Sequence, residues 1–142
     1  MKLESRFRGA RSGFSLVEVT VIVVILGVLA AFGVPRMLKS VERSKAAEAF
    51  EYLSAVRSSQ ESYQSRQGTY AGDTADLDVT LSAPKYFTVG SITAGEDTWT
   101  LTLTREGAAS GYGDYTVTFT QEGYDSANST IEGLPEINPR GT

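Results

Sequence analysis

An α+β fold, one long N-terminal helix packed on a small antiparallel β-sheet, is predicted by three patterns in the chain. The first is a 21-residue run from Phe14 to Val34, apolar except for single small polar residues and Glu18. The second is a stripe of apolar residues at helical spacing that resumes after Pro35. The third is a pair of segments, 98–105 and 115–120, in which large apolar residues alternate with threonine.

The apolar run at 1.5 Å per residue is about 31 Å long, which matches a bilayer core of about 30 Å. It therefore reads as a membrane-spanning half-helix. Lys2, Arg6, Arg8 and Arg11 precede it, while Arg36, Lys39, Arg43 and Lys45 follow it. Flanking charge is thus balanced and does not orient the span. The free amine at residue 1 tips the leader toward the cytoplasm, with the acidic head on the other side.

Beyond Pro35, the residues Leu38, Val41, Ala46, Ala49, Phe50, Leu53, Val56 and Tyr63 keep i, i+3, i+4, i+7 spacing. Lys39, Glu42, Arg43, Lys45, Glu48, Glu51, Arg57 and Glu61 take the other faces. One helix from Phe14 to about Arg66 would run roughly 53 residues and about 80 Å. Gly68 is a fitting stop.

Residues 68–84 read as a loop with a turn at Ala71-Gly72-Asp73. A short strand is expected over Tyr86–Val89, ending at Gly90. Thr98–Arg105 puts Trp99, Leu101 and Leu103 on one face, and Tyr115, Val117 and Phe119 repeat the pattern. The glycine-rich stretch 107–113 suits a hairpin connection. Such strands form a sheet with one face on a core and one in water. The helix stripe is the surface available to cover that core face. The tail from Glu122 onward, with Pro135 and Pro139, is expected to wrap irregularly or to fray. The chain thus divides into a basic leader (1–13), a membrane helix (14–35), an amphipathic half-helix (36–67) and a sheet head with its tail (68–142).

Composition removes several function classes. The 142 residues carry a net charge of −4 and a pI near 4.8, with no basic patch outside the N-terminal half, so no nucleic-acid partner is expected. Cysteine and histidine are absent. The chain therefore lacks disulfides, thiol nucleophiles, and the commonest general base and metal ligand. No phosphate-binding glycine loop, paired carboxylates or Ser–Lys spacing stands out, so no enzyme, cofactor or metal is expected. Asp73, Asp76 and Asp78 lack the glycine and distal glutamate of a calcium loop and read as solvated. Tyr86, Phe87, Trp99 and Tyr115 read as core residues. Asn128-Ser129-Thr130 matches a glycosylation triplet of a kind common by chance.

Glu18 does not belong in its surroundings. An ionised side chain near a bilayer centre costs roughly 2.5–3.5 kcal/mol on insertion scales, so it calls for a partner. Cutting between Gly13 and Phe14 would create one, a free amine four residues before the carboxylate. Side chains on a helix lean toward its N-terminus, and the helix dipole favours an anion there. Self-capping is the plain reading; pairing with the Phe14 amine of a neighbouring subunit is the functional one. Removing both charges from water demands good geometry, so such a pair would check register more than it would glue. At Pro35, which removes the hydrogen bond to the Ala31 carbonyl, two roles stay open: a plain kink, or a segment that unwinds during assembly.

Gly13, Phe14, Glu18, the unbroken apolar run and Pro35 together resemble the N-terminus of type IV pilins and of the pseudopilins of type II secretion. The resemblance covers about the first 55 residues. It implies the fold described above, removal of residues 1–13 by a prepilin peptidase, and N-methylation of Phe14. It further implies lodging in membrane lipid of the bacterial inner membrane, then polymerisation with identical or related subunits. An inner-membrane assembly platform and its ATPase would drive that step, giving a periplasmic or cell-surface filament. Phe14, Glu18 and Pro35 would be the assembly residues. The helix exit Gly68-Thr69-Tyr70 looks like the family's post-helix turn, although Ala71 stands where a proline is often found. Two further departures are the missing C-terminal disulfide and a weak echo, at Gly113-Asp114 and Gly123-Tyr124-Asp125, of the calcium loop of major pseudopilins. Pilus and pseudopilus subunits therefore both stay open. From another class, a membrane-tethered or secreted binding module would use an ordinary signal, cut after Val28-Leu29-Ala30. The apolar run exceeds the usual 7–15 residues of such signals, and that cut leaves Glu18 unexplained.

Overall fold

The computed structural model describes residues 13–80, 82–107 and 111–141. The leader, Gly13 excepted, lies outside the described residues. The chain divides into two units that meet at Pro35 and Arg36.

Helix α1 is assigned over Leu16–Gln67, with Pro35 inside it. It begins two residues later than Phe14, with Val19 N–H donating to the Ser15 carbonyl at 3.2 Å. It ends where expected. Gly68 adopts φ 77°, a left-handed conformation open to glycine, and its N–H donates to Gln64 O at 2.8 Å.

In the second unit, residues of α1 pack on an antiparallel sheet. Its strands are β1 (Thr88–Val89), β2 (Thr93–Ala94), β3 (Trp99–Arg105), β4 (Tyr115–Thr120) and β5 (Gly123–Tyr124). The order is β1-β3-β4-β5, and β2 also pairs with β3. The central β3–β4 ladder sets Leu101 opposite Phe119 and Leu103 opposite Val117. Trp99, Leu101 and Leu103 meet Tyr115, Val117 and Phe119 over Ala46, Ala49, Phe50, Leu53 and Val56 in one cluster. Phe50 closes it, edge-on to Phe119 at 5.8 Å and tilted against Tyr124 at 4.9 Å. The α+β fold is as expected.

Four details differ. Leu38 and Val41 are 44% and 42% exposed, so burial of the helix starts at Glu42 and not with the apolar stripe. Glu42 itself, expected on a polar face, is buried. Its i+4 and i+7 neighbours Ala46 and Ala49 define the core-facing line, and the ends of β3 and β4 supply polar partners for it. The strand expected over Tyr86–Val89 shrinks to two residues, because Phe87 N–H donates to Pro84 O at 3.4 Å in a turn. That turn leaves Tyr86 at the surface instead of in the core.

The tail wraps and does not fray. Ile131 and Ile137 are completely buried, and a 3-10 turn spans Thr130–Gly133. Strand β4 would otherwise show bare donors along its outer edge. Thr116 N–H donates to Thr130 Oγ1 at 2.7 Å, and Thr118 N–H to Ser129 Oγ at 2.8 Å. Thr118, expected in water, is buried under this cover. Covering an edge in this way removes a template for unwanted strand pairing.

Candidate functional site

The first unit carries the expected assembly residues. Every residue from 13 to 41 is exposed in the single chain, and the helix is long and apolar enough to cross a membrane. Phe14 precedes the helix and is 73% exposed. Glu18 stands in the first turn of α1. There the unpaired amide donors and the dipole favour an anion. Among the described residues Glu18 makes no hydrogen bond and no ion pair. Thr20, one of the small polar residues of the apolar run, donates its hydroxyl to Val17 O at 2.8 Å and so leaves no free donor on that surface. Gly27 and Gly33 have open space around them, room for a close neighbour.

The second unit holds a polar cluster that sequence reasoning missed. Glu42 is 1% and Arg105 6% exposed. Arg105 Nε donates to Glu42 Oε1 at 2.9 Å, Arg105 Nη2 to Oε2 at 3.4 Å, and the Tyr115 hydroxyl to Oε1 at 2.8 Å. Lys45 Nζ stands 3.6 Å from Oε2. Arg105 Nη1 donates to Glu106 O at 2.8 Å. Burial pushes the Glu42 carboxyl up, but the hydrogen bonds from Arg105 and Tyr115, with the charges of Arg105 and Lys45, outweigh it and hold it below the usual range. The hydrogen bond to Glu42 raises Arg105, and burial followed by that same carboxylate raises Tyr115 well above an ordinary phenol. This is a structural clamp in which Arg105, Tyr115 and Lys45 match both carboxylate oxygens of Glu42. One signal in the sequence pointed to it: Glu42 shares its helical face with Ala46, Ala49 and Leu53.

Gln60, also unforeseen, is buried and clamps the loop after the helix. Its amide donates to Ala71 O and accepts from Ala71 N–H, both at 2.8 Å. Asp73 caps the short 3-10 turn Thr74–Asp76 by accepting from Ala75 N–H at 2.9 Å. Asp125, part of the weak calcium-loop echo, accepts from Ala127 N–H, Asn128 N–H and Asn128 Nδ2, which hold its carboxyl low. Three of the acceptor sites of its carboxylate are thus used within its own turn. Among the described residues no three acidic side chains cluster as a metal site.

Residues 8–34 match the prokaryotic N-terminal methylation motif, a stretch that includes Gly13, Phe14 and Glu18. The chain carries that motif. The motif stops one residue short of Pro35 and says nothing about the head. The chain is similar to the type IV major pilin protein PilA of Myxococcus xanthus, with 39% identity over 67 residues, 47% of this chain and 30% of that protein. It is also similar to the type II secretion system core protein G of Pseudomonas aeruginosa, with 31% identity over 77 residues and 54% of each chain. The fimbrial protein EcpC of Eikenella corrodens is 32% identical over 65 residues, 46% of this chain and 42% of that protein. The chain thus spans between about a third and about half the length of these curated relatives. The resemblance to type IV pilins and pseudopilins that the N-terminal residues carry is borne out.

Proposed function

We propose that this chain is a structural subunit of a type IV pilus-like filament, polymerised through its N-terminal helix and without catalytic activity. One observation carries the reading. A helix apolar on all sides lies exposed along its first half, with a single acid in its first turn just after a Gly–Phe junction. A bilayer or a bundle of like helices is the environment that such a surface needs. Small residues allow close helix packing, and leaving lipid for protein forfeits little hydrophobic stabilisation, so packing decides between the two.

Processing and assembly are coupled in this reading. A prepilin peptidase hydrolyses the Gly13–Phe14 peptide bond, with water supplying a hydroxyl to Gly13 and a proton to the new amine. The α-amine, with an ordinary pKa near 7.7–8.0, stays largely cationic at neutral pH, methylated or not. It gives Glu18 of a neighbouring subunit a counter-charge in an apolar bundle. A subunit out of register would leave that carboxylate bare. Pro35 and the glycines at 27 and 33 soften the helix where it must move from membrane to filament. The assembly platform and its ATPase supply the work.

The mature N-terminus tests this directly. N-methylated Phe14 is expected; a chain beginning at Ala31 would mark an ordinary secreted domain. Glu18→Val should insert and be cleaved yet stay out of filaments, and a normal filament yield from it would end the role given to Glu18. A pseudopilus subunit that drives protein export is the second reading. It is favoured by the likeness to core protein G, which extends further along both chains than the pilin matches do. Export that fails in a deletion strain, with surface fibres unaffected, would select it.

A further inference from the structure

The helical stretch directly after Pro35 has a character that neither the head core nor the apolar span explains. Residues 36–41 are all exposed, as is Arg43. At 3.6 residues per turn, Arg36, Lys39 and Arg43 fall within an arc of about 60°, and Met37, Leu38 and Val41 fall on the opposite side. Met37 is 69% exposed, so this apolar side is as unpartnered as the basic one. A basic, two-faced helix is the pattern of a segment at a membrane surface.

Charge sets the stretch apart from the rest of the head. Residues 36–45 hold four cations and one acid, and that acid, Glu42, is consumed in the buried clamp; residues 46–142 hold five cations and fourteen acids. Chain continuity supplies the second argument. Arg36 follows the last apolar residue of the span by two positions and Arg43 by nine, about 3 and 14 Å along a helix. The headgroup layer is about 5–8 Å deep, long basic side chains reach along it, and fixed phosphates act over a further 8 Å or so. Tyr86 lies at the surface in the same neighbourhood, its ring 4.7 Å from Lys45 Nζ and 5.8 Å from Lys85 Nζ. Aromatic rings beside cations are typical of the membrane–water boundary.

We propose that residues 36–43 form a membrane-interface segment that binds anionic phospholipid headgroups. Arg36, Lys39 and Arg43 pair with the phosphates, and Met37 and Leu38, about 5 and 6 Å beyond Val34 along the helix, lie nearest the acyl boundary. The inference rests on the reading that residues 14–34 span a bilayer. It assigns the cations a task beyond orientation, since the leader alone supplies four on the other flank. It also gives the unassembled subunit a preferred lipid neighbourhood from which polymerisation must detach it.

The full chain, reconstituted in phosphatidylcholine nanodiscs containing a minor fraction of phosphatidylglycerol, provides the test. Spin-labelled versions of both lipids report which is held at the protein. The wild type should favour phosphatidylglycerol by at least about fivefold, the factor one cation contributes near an anionic surface, and should lose the preference at high salt. The triple variant Arg36→Gln, Lys39→Gln, Arg43→Gln should hold phosphatidylglycerol several-fold less well at low salt, leaving only what the leader's four cations and Lys45 retain, while Arg36→Lys with Arg43→Lys should keep the full preference. Equal retention of the two lipids by the wild type would overturn the proposal. So would an unchanged preference in the triple glutamine variant, or cross-links joining these residues to a second copy without any lipid preference. Resistance of vesicle-bound protein to alkaline extraction reports spanning separately. A chain that spans without lipid preference therefore sinks this inference alone.

Discussion

Glu42 is the residue on which the head turns. Its carboxylate joins α1 to the end of β3 through Arg105 and to the start of β4 through Tyr115. A buried pair is weak evidence of net stabilisation, since desolvation offsets the attraction, but breaking one partner leaves a charge stranded. Glu42→Ala is therefore expected to cost about 3–5 kcal/mol in chemical denaturation, because Arg105 is left unmatched. Replacing Glu42 and Arg105 together with leucine and methionine should cost far less, which a double-mutant cycle would reveal. The pH dependence follows from the sign of the shift. The folded carboxyl titrates below its ordinary value near 4.5, so its contribution is complete above that value and is lost as pH falls through the lower folded one. Melting temperature should fall over that acid window in the wild type and more shallowly in Glu42→Gln.

At the scale of elements, α1 has two halves made stable by different means. The first is apolar and exposed on every side of the single chain, held by its own backbone hydrogen bonds. The second is held by one face, and Leu53→Ala, at a fully buried position, should cost about 2–5 kcal/mol. Gly90 marks a different constraint. Its N–H donates to Thr102 O at 3.0 Å, and a Cβ there would lie 2.7 Å from that same oxygen. Gly90→Ala should therefore shift β1 away from β3 and destabilise the head by about 1–3 kcal/mol, the usual cost of overpacking, with the change visible as faster exchange of the residue-90 amide. Helix, stop glycine and the two long strands were all legible in the sequence, because period, turn chemistry and alternation are local signals. The two-residue strands were not. They exist because β3 presents an edge to pair with, and no local pattern records that.

At the scale of the whole molecule, the second unit is closed by its own tail, residues 129–141. Ile131 and Ile137 fill the core, Ser129 and Thr130 serve the edge of β4, and the Tyr124 phenol, raised to about 12 by burial and by its bond to Glu132, ties the last turns together. Removing residues 129–142 is expected to unfold the head or leave it prone to edge-to-edge aggregation, which light scattering and loss of cooperative melting would detect. A truncated head that melts as the intact one does would contradict the closing role of the tail.

The chain alone determined the membrane-length helix, its anomalous acid behind a Gly–Phe junction, the stop at Gly68 and the two alternating strands. These are contests between neighbours along the backbone, decided by periodicity and by the cost of charge in an apolar run. Only the tertiary structure decided that Glu42 turns inward, that Gln60 grips Ala71, that Tyr86 stays outside and that the tail seals β4. Each of those depends on a partner many positions away. For a polar side chain, burial is governed by whether such a partner arrives, and spacing along one segment carries no record of it.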